Sequence, residues 1–249
     1  MYQTFAYYYD QLMDKDLYQQ WLDFTNQQFG SLKQQQVLDL ACGTGDLALL
    51  YAQQGADVFG VDLSLEMLTL AADRLNKANA DATLMQGDFR QLTDLELPQL
   101  DLVTCYDDSL CYLTNLADLQ TTFEQVRQSL KPGGTFLFDM HSLYQVNEVF
   151  PGYMYNYHEE DWAFMWSSFA DDPSNSVLHD LTFFVWRDDL GGYDALNEIH
   201  HERTYPIIKV KQALAASGFT EIETFGGFAG EAITPTTERW FFKAKAPQA

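Results

Sequence analysis

Val37-Leu38-Asp39-Leu40-Ala41-Cys42-Gly43-Thr44-Gly45-Asp46 opens on a short apolar run that ends in an acid and turns through small residues. It leads into the apolar-periodic Leu47-Ala48-Leu49-Leu50-Tyr51-Ala52. That order reads as a buried strand, a glycine-rich loop and a helix start, the entrance to a nucleotide-type site. Glycine at 43 and 45 lets backbone approach a ligand where a Cβ would collide. Free N–H groups in such a loop, at a helix N-terminus, suit a ligand's polar or anionic end.

Outward from this stretch, strand-like and helical runs alternate between 37 and 140, the pattern of parallel βαβ units. Strands are expected at Val37–Leu40, Asp57–Val61, Ala82–Gln86, Leu100–Cys105 and Thr135–Met140. Helices are expected at about Asp46–Gln53, from Ser64 onward, and at about Leu116–Leu130, where Lys131-Pro132-Gly133-Gly134 stops the last one. Residues 142–205 change character, with turn signals at Pro151-Gly152, Asp171-Asp172-Pro173-Ser174-Asn175 and Asp188-Asp189-Leu190-Gly191-Gly192. The aromatic and β-branched runs between them, roughly Tyr153–His158, Trp162–Phe169, Val177–Arg187 and Tyr193–Tyr205, read as an antiparallel meander. The α/β pattern resumes with a helix about Pro206–Ser217 and strands at Thr220–Phe225 and Arg239–Ala244. Residues 1–30 place Tyr8, Tyr9, Leu12, Tyr18, Trp21, Leu22 and Phe24 at helical spacing, ended by Gly30. These aromatics serve either as core or as a tyrosine lid over a ligand.

The 249 residues carry 36 acids against 14 bases, a formal charge of −22. Such a field repels phosphate backbones, so no nucleic-acid or anionic-membrane partner is expected. No apolar run reaches the roughly 18 residues needed to span a bilayer, and no signal peptide is read at the start. Cys42, Cys105 and Cys111 have neither C-x-x-C nor zinc spacing, so they are expected to be reduced thiols of a cytoplasmic protein, and no metal is assigned.

Gly43-x-Gly45-x-x-Ala48 also fits a dinucleotide fingerprint, with Asp62 near the offset of a ribose-binding acid. Further motifs narrow that reading. Asp39-Leu-Ala-Cys-Gly-Thr-Gly45, Gly60-Val-Asp62-Leu-Ser, Gly87-Asp88-Phe89, Leu130-Lys-Pro-Gly-Gly134 and the terminal strand pair resemble the motif set of class I S-adenosylmethionine-dependent methyltransferases. The opening Phe5-Ala6-Tyr-Tyr-Tyr9-Asp10, the Asp107-Asp108-Ser109 loop, Phe138-Asp139-Met-His141-Ser142 and the meander extend the resemblance to the bacterial YqeM-like branch.

The resemblance implies a Rossmann-like, doubly wound, mostly parallel sheet with a C-terminal antiparallel strand pair and an inserted antiparallel β-meander. It implies a helical lid over 1–30, a methyltransferase core over 31–141 and 206–249, and an insertion over 142–205 that covers the acceptor site. The cofactor would be S-adenosyl-L-methionine, leaving S-adenosyl-L-homocysteine, and the partner a small-molecule methyl acceptor. A homo-oligomer stays open. Asp39 and the loop Ala41, Cys42, Gly43 and Gly45 would hold the methionine end. Asp62 would take the ribose hydroxyls with Leu63 and Met67 near the adenosine, Gly87 and Asp88 would meet the adenine edge, and Phe89 would lie behind it. The loop from Cys105 to Asp108 would sit beside the departing methyl, and Tyr9 would close over the cofactor. Ala41 stands where the family has its first loop glycine, and Cys111 where relatives carry Asn.

The insert adds acceptor-side candidates from the residues themselves. Glu198 and His200, with Glu202, share one face of a strand, and His141 and Tyr144 follow the fifth strand at the carboxyl edge. Trp162, Trp166, Phe183, Phe184 and Trp186 form either sheet core or a cage for a cation. Methyl transfer to a small molecule, with an amine as a candidate acceptor, is the favoured activity. The alternatives are a nicotinamide-dependent oxidoreductase and a non-catalytic cofactor-binding interaction protein.

Overall fold

In the computed structural model, which describes residues 2–248 with side chains from Ala6 onward, the glycine-rich loop joins a central strand to its helix. The Phe5 side chain and residues 1 and 249 lie outside that description. In chain order the elements are α1 (Tyr2–Leu12), α2 (Lys15–Phe29), β1 (Gln36–Leu40), α3 (Asp46–Gln53), β2 (Asp57–Asp62), α4 (Leu65–Ala78) and β3 (Thr83–Gln86). They continue with β4 (Leu100–Cys105), α5 (Leu116–Ser129), β5 (Leu130–His141), β6 (Met154–His158), β7 (Trp162–Asp171), β8 (Ser176–Arg187) and β9 (Gly192–Arg203). The chain closes with α6 (Ile207–Ala216), β10 (Thr220–Phe225) and β11 (Arg239–Lys245).

Seven strands form one sheet in the order β10-β11-β5-β4-β1-β2-β3. The β3-to-β5 part is parallel, and β11 pairs antiparallel with both β5 and β10. The order reverses beside β1, so the loops after β1 and β4 diverge there and leave a crevice at their carboxyl ends. The fold class read from the motifs is therefore the observed one. Buried side chains cover both sheet faces. Phe138 stacks on Phe242 at 4.6 Å, and Trp21, Phe24 and Tyr51 fill the layer below α2 and α3. Each such aromatic stabilises the fold by about 1.5–3 kcal/mol through burial.

β6 to β9 make the second sheet, a four-stranded antiparallel meander between β5 and α6. Its alternation answers the cage question. Trp162, Phe164 and Phe183 point to one face and pack against Tyr8 of α1, with Tyr8 and Trp162 centroids 5.1 Å apart. Phe184 and Trp186 point to the other face, because neighbours along a strand alternate, so the five aromatics do not converge into a cage.

One local expectation is refined and two need correction. The helical run over 1–30 is two helices, because Asp14 caps α2 by accepting from the Asp16 N–H at 2.9 Å. The Lys131-Pro132-Gly133-Gly134 segment does end α5, but it belongs to the start of β5 rather than preceding it. Gly133 has a positive φ of 77°, and the register with β4 shifts between Leu100 and Leu102, which lets Pro132 sit at an irregular strand start. Gly45 is a packing glycine and does not line the cavity described below. It has φ 77°, and a Cβ there would stand 2.8 Å from the Ala71 Cβ on α4. Gly45→Ala is expected to destabilise the protein by about 1–3 kcal/mol, through left-handed strain plus overpacking, as read by urea denaturation.

Candidate functional site

At the carboxyl edge of β1, β2 and β4 lies a cavity of about 830 Å³, walled by the loop after β1, the loop after β4, α1 and β9. The strand geometry delivers its acids. Asp39 lies in β1 and Asp62 ends β2, so both carboxylates come up at the mouth of the parallel sheet. Asp62 Oδ2 accepts the Gly43 N–H at 2.8 Å and Oδ1 accepts the Ser64 N–H at 2.8 Å. This clasp sets the conformation of the glycine-rich loop and starts α4, whose cap is Ser64. Burial raises the Asp62 pKa, and the N–H groups of Ser64 and Gly43 oppose the rise.

Asp39 is more deeply buried. Its Oδ1 accepts from the Thr104 hydroxyl at 3.3 Å, and its Oδ2 is buried with no hydrogen-bond partner. Desolvation pushes its pKa up to about 7, with Thr104 opposing and Asp62 adding to the rise. A buried, unpartnered carboxylate oxygen facing a cavity is a position for a cation or a donor.

Asp88 stands across the cavity. Hydrogen bonds from the Arg90 guanidinium, at 2.5 Å for the shortest, hold its pKa below the usual carboxylate range. Gly87 passes close behind β2, where a Cβ would meet Leu95 at 2.8 Å. Phe89, Leu63 and Met67 supply apolar wall. From α1, Tyr9 donates its hydroxyl to Asp107 at 3.2 Å, and Asp10 accepts from the Thr44 hydroxyl and from Arg74, both at 2.8 Å. The first helix is thereby clasped across the loop. Asp107 and Asp108 both adopt φ near +56°, a costly backbone for non-glycine residues that aims successive side chains apart.

The cavity brings together Tyr9, Asp39, Ala41, Cys42, Gly43, Asp62, Leu63, Met67, Gly87, Asp88 and Phe89, and from the insert Glu198 and His200. Five other candidates lie off its wall. Cys105 is fully buried in the core beneath the loop it precedes. Gly45 packs on α4. Asp108 turns away to Arg239, whose Nη2 is 2.7 Å from its Oδ2. His141 is buried with Nε2 3.2 Å from Asp108 and 3.4 Å from Glu202, tying β5 to the end of the insert. Tyr144 starts the turn after β5 and does not line the cavity. Cys111, at the position of the relatives' Asn, is fully buried in the apolar core and offers no polar contact to the cavity. Ala41 adopts φ 59°, which explains why glycine is common at that position.

Reading by motif missed Tyr112 as a wall residue; Tyr18 and Asp107, anticipated only within the tyrosine lid and the Cys105–Asp108 loop, do line the cavity. Only the β4 loop and β9 meeting in space brings Tyr112 to His200, and no spacing in the sequence encodes that meeting. Among the described residues the cavity wall carries seven carboxylates and one guanidinium, that of Arg90. A cationic ligand is therefore favoured over an anionic one.

Comparison with known proteins agrees with this geometry. A methyltransferase domain model matches residues 37–134. A Geobacillus protein provisionally named a methyltransferase is 39% identical over 250 residues, covering 98% of this chain and 99% of its own. The Bacillus subtilis methyltransferase YqeM, also provisionally named, is 38% identical over 246 residues, covering 98% of this chain and 97% of its own. The crystal structure of an S-adenosylmethionine-dependent methyltransferase from Clostridium acetobutylicum superposes with a TM-score of 0.84 at 28% identity, covering 99% of both chains. No helix among the described residues is long and apolar enough to cross a membrane.

Proposed function

The chain belongs to the class I S-adenosylmethionine-dependent methyltransferases, and from that premise we propose that it methylates a small amine held between the loop after β4 and the insert. The observation that carries the amine is the acid-dominated cavity wall, to which the loop after β4 contributes Asp107 and the insert contributes Glu198.

The residues present fit the cofactor. The orphaned Asp39 Oδ2 suits the ammonium of the methionine end, and the open space over Gly43, where a Cβ would meet nothing within 4 Å, leaves room beside it. Asp62 retains lone pairs for two ribose hydroxyls, Asp88 and Phe89 suit the adenine edge and ring, and Leu63 and Met67 suit the adenosine. Bound there, the cofactor supplies an activated methyl group and leaves as a neutral thioether. The protein's own contribution is alignment and exclusion of water, worth on the order of 7–11 kcal/mol when the reacting groups are well placed. In this reading residues 1–30 act as the lid, with Tyr9 and Asp10 as its latch. Residues 31–141 and 206–249 act as the core, and 142–205 as the acceptor cover.

A screen of small amines, phenols and carboxylic acids for S-adenosylhomocysteine formation tests the assignment. Turnover confined to phenols or acids would remove the amine from it. A second measurement reads the methionine end directly. Asp39 holds a proton up to about pH 7 in the empty site, and pairing with an ammonium lowers that pKa. Cofactor binding is therefore expected to release most of a proton at pH 6 and little at pH 8, so affinity falls as pH drops below about 7. Calorimetry in buffers of different ionisation enthalpy measures that release, which Asp39→Asn abolishes.

A further inference from the structure

Tyr112, His200 and Glu198 form one hydrogen-bonded chain on the cavity wall. Tyr112 Oη stands 2.7 Å from His200 Nδ1, and His200 Nε2 stands 3.0 Å from Glu198 Oε2. Tyr112 comes from the short helical turn after β4, whereas both partners come from alternate positions of β9. A carboxylate only accepts, so the imidazole donates Nε2–H to Glu198. A neutral ring then has its lone pair on Nδ1, and Tyr112 donates its O–H to that lone pair. The order hydroxyl, imidazole, carboxylate is that of an activated-hydroxyl triad, with a phenol in the first place.

We propose that this chain is the proton relay of the methyl transfer, in which Tyr112 touches the acceptor as the catalytic residue while His200 and Glu198 position and drive it. The proposal rests on the methyltransferase reading. In the step, the acceptor's X–H bond breaks and its electron pair stays on X as the nucleophile. The proton passes to Tyr112 Oη as Tyr112's own proton passes to His200 Nδ1. His200 becomes an imidazolium held by Glu198 and later returns the proton to water by the same route, leaving all three groups as they began. Tyr112 remains a neutral phenol throughout. Tyr112 is half-exposed at the cavity, and the desolvation it does undergo, with the carboxylates of Glu202, Asp107 and Asp108 nearby, raises its pKa above the usual value, so it carries protons without storing charge. Glu202 of β9 and His179 of β8 also act electrostatically on the His200 ring. Burial holds the pKa of His179 down at about 4, so it is neutral at pH 7 and does not oppose the imidazolium.

Nitrogen-15 spectra of the full-length protein labelled at its five histidines test the relay without a known acceptor. His200, assigned through His200→Gln, is expected as the Nε2–H tautomer, and Tyr112→Phe is expected to move its Nδ1 resonance toward that of a free acceptor nitrogen. An Nδ1–H tautomer, or an Nδ1 resonance untouched by Tyr112→Phe, overturns the proposal. With any amine that turns over, Tyr112→Phe and His200→Gln are each expected to lower kcat by about 10²–10⁴ near neutral pH. The loss should shrink as pH rises and the amine deprotonates unaided, and an equal loss at every pH counts against proton transfer. If no amine turns over, the tautomer result decides alone. Cofactor binding measured by calorimetry on the unmodified protein tests the methyltransferase reading separately.

Discussion

Asp62→Ala is expected to weaken S-adenosylmethionine binding by on the order of 10²–10⁴-fold, because a carboxylate that accepts from two ribose hydroxyls loses two charge-assisted hydrogen bonds of about 1.5–3 kcal/mol each. Part of the effect comes from the protein itself. Asp62 also holds the Gly43 and Ser64 N–H groups, so its removal releases the glycine-rich loop that faces the ligand. Asp62→Asn distinguishes the two contributions. One amide oxygen still accepts from a backbone N–H, whereas the amide nitrogen presents a donor where the carboxylate presented an acceptor. Calorimetric titration is the measurement, with thermal melting of the empty protein as the control for folding. An affinity within threefold of the unmodified protein for Asp62→Ala would refute the ribose assignment.

Arg239→Met is expected to destabilise the protein by about 3–5 kcal/mol, the cost of leaving buried carboxylates without their cation. Arg239 lies on β11 and forks between Asp139 Oδ2 at 2.8 Å and Asp108 Oδ2 at 2.7 Å, with its guanidinium over the Trp21 ring. Trp21 donates to the same Asp139 oxygen at 2.7 Å, so α2, β5, β11 and the loop after β4 meet at one ion cluster. The pH dependence has a definite sign. Burial raises the Asp108 pKa while Arg239 and His141 oppose the rise, so the folded state binds more protons than the unfolded one above the unfolded pKa of about 3.9. Its ionisation therefore costs stability as pH rises, and without Arg239 that cost grows. Urea denaturation at pH 6 and pH 8 should show a larger deficit for Arg239→Met at pH 8. The same variant should weaken cofactor binding as well, because Asp108 fixes the backbone turn that presents Asp107 and Ser109 to the cavity. An equal deficit at both pH values would mean that lost packing, not charge, dominates.

The parallel part of the sheet was readable because each βαβ unit is a local object. An apolar run, a glycine or an acid, and a capped amphipathic helix follow within about 30 residues, and the strand edges fell within one or two residues of the observed ones. The meander was readable for the same reason, since its turn residues are contiguous with the strands they join. The start of β5 was not. A Lys-Pro-Gly-Gly segment looks like punctuation, and only the pairing of Leu130 with Leu100 and the hydrogen bonds of Gly133 and Gly134 to Ala246 and Pro247, just past β11, draw it into the sheet. Gly45 shows the limit of motif reading at finer grain. Two glycines one residue apart have one sequence rationale but separate jobs, Gly43 opening the cavity and Gly45 admitting α4. Asp107 and Asp108 repeat the lesson, because adjacent residues in left-handed conformations send one carboxylate to Tyr9 in the cavity and the other to Arg239 in the interior.

The sequence alone determined the fold class, the cofactor and the edge of the sheet where that cofactor belongs. The fold class and the sheet edge are written in short-range order, in the periodicity of apolar residues, the small residues after a strand and an acid at a strand end; the cofactor came through the resemblance of the motif set to a known family, because the loop and Asp62 alone also fit a dinucleotide. The tertiary structure decided which side chains share the cavity. It removed Cys105, Asp108, His141 and Tyr144 from the wall and brought Tyr112 to His200 across 88 residues of chain. Direction is the physical reason. Whether a side chain faces a ligand or the core depends on one backbone dihedral and on what packs behind it, and contacts far along the chain set both.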